Sequence, residues 1–258
     1  MIALAVLFGL VIGLSLGALG GGGSILTVPA LVYALGQSPR QATTASLVIV
    51  GITALAGAVG HARAGRVRWV AGSAFGLAGI AASVAGTFAN RAVNPNVLLL
   101  AFAGLMFVVA VAMLRRGTRP EGGSALSARR ASTAATVGRV IGTGLVVGFL
   151  TGFFGVGGGF VIVPGLVFAL GYSMPTAVGT SLLVIAINSA GALLARIGGA
   201  TFDWAVIVPF TAAAIVGSLA GKRVADRVPA AGLTRGFVVL LLLLAVYVAV
   251  RSVSALTS

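Results

Sequence analysis

Long apolar runs, interrupted at short intervals by glycine and by single arginines, set the character of this chain. Runs near Ile2–Leu19, Pro39–His61, Trp69–Ala89 and Val97–Leu114 each approach the ~20 residues a helix needs to cross hydrocarbon. A second set follows near Val140–Val156, Pro175–Ala195, Trp204–Gly221 and Leu233–Val250. After the first run of each set comes a shorter apolar piece, Ser24–Leu35 and Phe160–Leu170, entered through a glycine cluster. Such a piece makes only ~18 Å of helix against ~30 Å of hydrocarbon. It is therefore a half-helix, either half of a re-entrant hairpin or part of a broken pair crossing at a tilt. Strict apolar–polar alternation, the mark of a membrane barrel, is absent.

The two sets are copies. Gly13, Gly17, Gly20, Gly22, Gly23, Pro29, Gly36, Ser38, Ser46 and Trp69 recur as Gly148, Gly152, Gly155, Gly157, Gly158, Pro164, Gly171, Ser173, Ser181 and Trp204, always 135 residues later. The expected fold is all-α: a polytopic membrane helix bundle of two homologous repeats, residues 1–114 and 140–258, joined by a basic linker, 115–139. Each repeat carries a broken or re-entrant half-helix after its glycine-rich turn. Duplicated membrane halves of this kind are the build of secondary transporters, with the site between the halves. Ser38, Pro39 and Gln41 read as N-cap, first helical position and capping-box partner of a long helix.

Loop charges give the orientation. If the first helix and half-helix of each repeat return to one side, every basic residue except Arg40, Arg91, Arg196 and Arg251 falls on a single face. Counting the first helix as a full span weakens this bias. The positive-inside rule thus favours an inverted duplication with the linker in the cytoplasm. Composition agrees with a membrane setting. The chain is 59% hydrophobic and 8% charged, where a soluble domain carries about 25% charged residues. The formal charge of +14 is spread in small groups beside apolar segments, which argues for topology and against nucleic acid binding. Without cysteine there is no disulfide or thiolate metal site. Ile2–Leu19 lacks a basic start and belongs to the repeat, so it reads as a retained helix.

Three groups of residues could carry chemistry. Gly21, Gly22, Gly23 and Ser24, with Gly157, Gly158 and Gly159, each precede a half-helix. Consecutive backbone N–H groups and a helix N-terminus attract an anion without a buried cation; close helix packing explains the same glycines. Next are Thr43, Ser46, Thr180, Ser181 and Asn188, the last matched by Thr53 in the first copy. They offer hydrogen bonds to a polar substrate, or only back-bonds within their helices. Last are His61, its counterpart Arg196, and Arg40, which read as gates or anion attractors at helix ends, or as residues snorkelling to the interface. The three acids, Glu121, Asp203 and Asp226, fall in or beside loops, which argues against a carboxylate proton relay. Neither paired acid–base carboxylates nor a metal-ligand cluster is found, so no catalytic residue, metal or cofactor is expected.

The run Gly20–Pro29 (GGGGSILTVP), with Ala42, Thr43, Ser46 and the segment His61–Gly65, resembles the sulfite exporter TauE/SafE family. The second copy, Gly155–Pro164 (GVGGGFVIVP) with Ala177, Thr180 and Ser181, resembles it again. That resemblance implies a multi-pass inner-membrane transporter of small anions, mostly sulfur oxyanions or organosulfonates. The leading expectation is an alternating-access carrier whose partners are a small anionic substrate and the bilayer. An anion channel and a non-transporting membrane assembly subunit are the alternatives.

Overall fold

The structure, a computed structural model, describes residues 2–90, 92–93, 95–117, 133–154, 159–194 and 202–257. Ten α-helices lie within them: α1 (Ile2–Leu19), α2 (Gly22–Pro29), α3 (Pro39–Ala62), α4 (Trp69–Asn90) and α5 (Pro95–Gly117) in the first half. The second half gives α6 (Thr133–Phe154), α7 (Gly159–Ala169), α8 (Met174–Leu194), α9 (Trp204–Arg227) and α10 (Ala230–Thr257). Among the described residues, seven helices are long and apolar enough to cross a membrane. The protein is an all-helical, multi-pass membrane protein.

The local signals fold as their chemistry dictates. Ser38 caps α3 in an extended conformation (φ −62°, ψ 148°), its hydroxyl accepting from Gln41 N–H at 3.4 Å, with Pro39 in the first turn. Gly36 and Gly171, the matched glycines before α3 and α8, both take the left-handed conformation (φ 68° and 69°) that reverses the chain. The first half-helix starts earlier than Ser24: α2 opens at Gly22, leaving only Gly20 and Gly21 in the turn. Glycine does not forbid helical dihedrals, and here packing decides the boundary. After Pro29, which has no N–H to donate, the helix widens into a π-turn over Ala30–Ala34. The ends of the long helices also reach beyond their apolar runs. In α9 the extension is polar and carries an i,i+4 pair, Lys222 Nζ to Asp226 at 2.7 Å.

Helix pairing crosses the duplication. Gly9, Gly13 and Gly17 of α1 lie against Phe210, Ala214 and Ser218 of α9, in the same order, so these helices run parallel. Gly144, Gly148 and Gly152 of α6 lie against Phe75, Gly79 and Ser83 of α4, again in parallel. Each first helix thus packs on the fourth helix of the other half. In the centre α3 and α8 run antiparallel, Gly51 meeting Ser189 and Gly57 meeting Leu182. Gly72 and Gly76 of α4 meet Leu183 and Ile187, so α4 runs with α8. Gly57 and Gly60 of α3 meet Ser218 and Leu219, so α3 runs with α9. Hence α1, α3 and α9 point one way, and α4, α6 and α8 the other. One end of the bundle gathers the 63–68 loop, the start of α8 and the end of α9, where Arg66 and Lys222 both pair with Asp226. Arg40 lies at the other end, in the first turn of α3.

Candidate functional site

The site is built where α1 and α6 stop short. Gly17 lies against Ser218, and α9 continues nine residues further to Arg227, about 13 Å of helix. On the other side Gly152 lies against Ser83, seven residues before α4 ends at Asn90. The turn at Gly20 and Gly21 and the end of α6 at Phe154 therefore sit inside the bundle.

Each glycine of the first turn has its own reason. Gly20 N–H closes α1 onto Leu16 O at 2.8 Å, and its φ of +74° belongs to the left-handed region. Gly21 touches the other half: a methyl group there would lie 1.5 Å from the Gly159 carbonyl oxygen. Gly23 lets α2 fold back on α1, since a methyl there would meet Ile12 O at 2.6 Å. Gly22 faces only the Leu240 side chain, at 2.4 Å. The first turns of α2 and α7 are thus in backbone contact, and Gly20–Ser24, Gly159 and Phe160 are all buried.

Ser24 Oγ, buried, donates to Gly21 O at 2.7 Å and stands beside Gly159. Ser181 is fully buried next to Gly20 and donates to Val178 O at 2.8 Å. Thr180 Oγ1 accepts from the backbone N–H of Arg68 at 3.2 Å, which ties the head of α4 to α8. The structure therefore brings Gly21, Gly22, Gly23, Ser24, Gly159 and Ser181 together, with Thr180 one residue away.

The remaining expected residues that the structure describes lie on α3 and α8. Thr43 back-bonds to Pro39 O and Arg40 O, and Ser46 to Thr43 O. Ser46 precedes Gly57, the α3 residue level with Ser218, by eleven positions, about 16 Å of helix. Asn188 Oδ1 is buried without a protein partner at the α4–α8 contact, near Gly79. Arg40 is exposed. Gly157, Gly158 and Arg196 lie outside the described residues.

His61 is fully buried rather than at the interface. Its Nε2–H donates to Gly17 O at 2.9 Å, and its Cβ packs against Gly179, so the imidazole clips the end of α1 to α3 and α8. Two residues outside the expected set, Thr53 of α3 and Ser218 of α9, are buried with hydroxyls that have no hydrogen-bond partner. The repeat hinted at one of them, because Thr53 matches Asn188. Among the described residues no three metal-ligating side chains cluster. What gathers there are the N-termini of α2 and α7 and the hydroxyls of Ser24 and Ser181.

The pattern of the sulfite exporter TauE/SafE family matches residues 5–248. A protein of Xylella fastidiosa (strain Temecula1), described as a probable membrane transporter protein, is 36% identical over 258 residues, covering 96% of this chain and 94% of its own. Bacillus subtilis YdhB, with the same description, is 27% identical over 229 residues, covering 89% and 91%. No solved structure gives a significant match. On that coverage, the chain belongs to the sulfite exporter TauE/SafE family, and it is a membrane transporter.

Proposed function

We propose that this transporter moves a small anion, a sulfur oxyanion or an organosulfonate, across the inner membrane by alternating access. The observation that carries the reading is the contact between the first turns of α2 and α7 deep in the bundle. Two helix N-termini meet there, and a helix N-terminus carries partial positive charge and N–H groups without an intrahelical partner. An anion can be held by these donors with no buried arginine, and released without breaking an ion pair. The family's name supplies the substrate class; the backbone donors supply the sign of the charge.

The opposite running directions of α1 and α6, α3 and α8, and α4 and α9 support an inverted pair of halves. In such a pair one arrangement open to one face implies a mirror arrangement open to the other. The seams define the moving units: α1 with α9 and α3, and α6 with α4 and α8. These rock against each other at the α3–α8 contact, and the half-helix ends part on alternate sides.

Counterflow of labelled sulfite in proteoliposomes tests this. Unlabelled sulfite or an organosulfonate on the far side should accelerate entry of label. Flux without acceleration indicates a channel, and no flux of any sulfur anion indicates a non-transporting subunit.

A further inference from the structure

The glycine seam between α4 and α6 does not run their whole length. Gly144, Gly148 and Gly152 bring the backbones together, but the same face of α6 continues towards its start as Val140 and Thr136. Opposite them on α4 stand Ala71 and Ala74. Where α6 carries Val140 and Thr136 in place of glycine, a groove of about 460 Å³ lies beside α4, bordered by Val67 and Arg68 of the arginine-rich loop. That volume lies within the ~300–1,000 Å³ typical of ligand sites.

Apolar side chains line the depth of the groove, and its rim carries Trp69, Arg68 and Tyr172. Trp69 is half exposed, as expected of an indole at the membrane–water boundary. Arg68 is anchored through its backbone N–H on Thr180, so the root of its exposed side chain is fixed. The Tyr172 phenol, neutral near pH 7 in any case and pushed further from ionisation by burial, is a hydrogen-bond donor.

Exchange of the halves gives an internal comparison. Shifted by 135 residues, Arg68 becomes Asp203, while Gln37 is the counterpart of Tyr172. The tryptophan is kept as Trp204, but there it stacks on Phe202 with centroids 5.3 Å apart. At the matching positions of the other copy, Asp203 and Gln37, neither the guanidinium nor the phenol is present.

We propose that this groove is a binding site for an anionic phospholipid, one acyl chain lying against Ala74 and Val140 and the phosphate resting on Arg68 and Tyr172. The positive rim attracts a net negative headgroup and repels the quaternary ammonium of phosphatidylcholine. The groove shares no residue with the α2–α7 contact, and the proposal does not depend on which anion is transported.

Native mass spectrometry of the purified full-length protein, titrated with phosphatidylglycerol and with phosphatidylcholine of the same chains, tests it. Wild type should retain phosphatidylglycerol preferentially. Arg68→Gln, which leaves the backbone bond to Thr180 in place, should weaken its retention about fivefold, and Arg68→Lys should keep most of it. Ala74→Phe, which fills the groove, should weaken both lipids. Arg227→Gln, a charge change elsewhere at the same end, should leave retention unchanged. Equal retention of the two lipids by wild type would overturn the proposal. So would unaltered binding in Arg68→Gln, or an equal loss in Arg227→Gln.

Discussion

The α1–α9 and α4–α6 seams and the α2–α7 contact are all made by glycine, yet they are different kinds of joint. Along the seams, glycines at four-residue intervals hold two long helices together over several turns. A methyl at Gly17 would sit 2.0 Å from Ser218 O, and one at Gly152 1.9 Å from Ser83 O. At the half-helices a single turn of each chain touches, through Gly21 and Gly159. Small residues in lipid allow close backbone approach, and the number of turns in register decides whether that approach welds or merely latches. The seams weld each half to the other; the crossing latches.

The sharpest way to break this distinction is to load both joints. Gly17→Leu or Gly152→Leu should prevent assembly, because no flexible side chain is there to yield and the cost exceeds the ~1–3 kcal/mol of ordinary overpacking. Size-exclusion profiles of membrane extracts should lose the monodisperse peak. Gly104→Ala and Gly138→Ala, which meet nothing within 4 Å, should behave as wild type.

A second, smaller effect separates latch from weld. Gly21→Ala, whose methyl would lie 1.5 Å from the Gly159 carbonyl oxygen, must push the first turns of α2 and α7 apart: the melting temperature should fall, and sulfite counterflow per folded protein should fall by about tenfold or more. Gly22→Ala displaces only the end of Leu240 and should keep flux within a factor of about two. Equal losses in both variants would mean that the crossing is not the substrate site.

The smallest effect lies at the arginine-rich end. Asp226 pairs with both Arg66 and Lys222, on side chains 22–30% exposed. Asp226→Asn should cost about 0–1 kcal/mol in thermal stability, less at high salt. A larger loss would show that this end is welded too.

The helix boundaries were largely written in the sequence, because their signals are local. Gly20 ends α1, and the Ser38-Pro39-Gln41 cap starts α3 where its chemistry requires. The start of α2 was not, since a glycine run can be turn or helix and only contact with α1 and α7 chooses. Glycines every four residues in α1 and α6 announce a close neighbour without saying which. The swap across the halves is therefore a tertiary fact. The same limit applies to the site. Hydroxyls of Thr43 and Ser46 looked equivalent to that of Ser181; among the described residues Ser181 adjoins the Gly20 turn, while the turn that matches it, 155–158, lies outside them. His61 looked like an interfacial residue until its carbonyl partner, 44 residues away on α1, came into view.

The crossed pairing has a consequence for how the molecule is made. Gly17 finds Ser218 only after about two hundred further residues have been synthesised, roughly 10–40 s later at ordinary ribosomal rates. For that interval α1 waits among lipids with its small-residue flank uncovered.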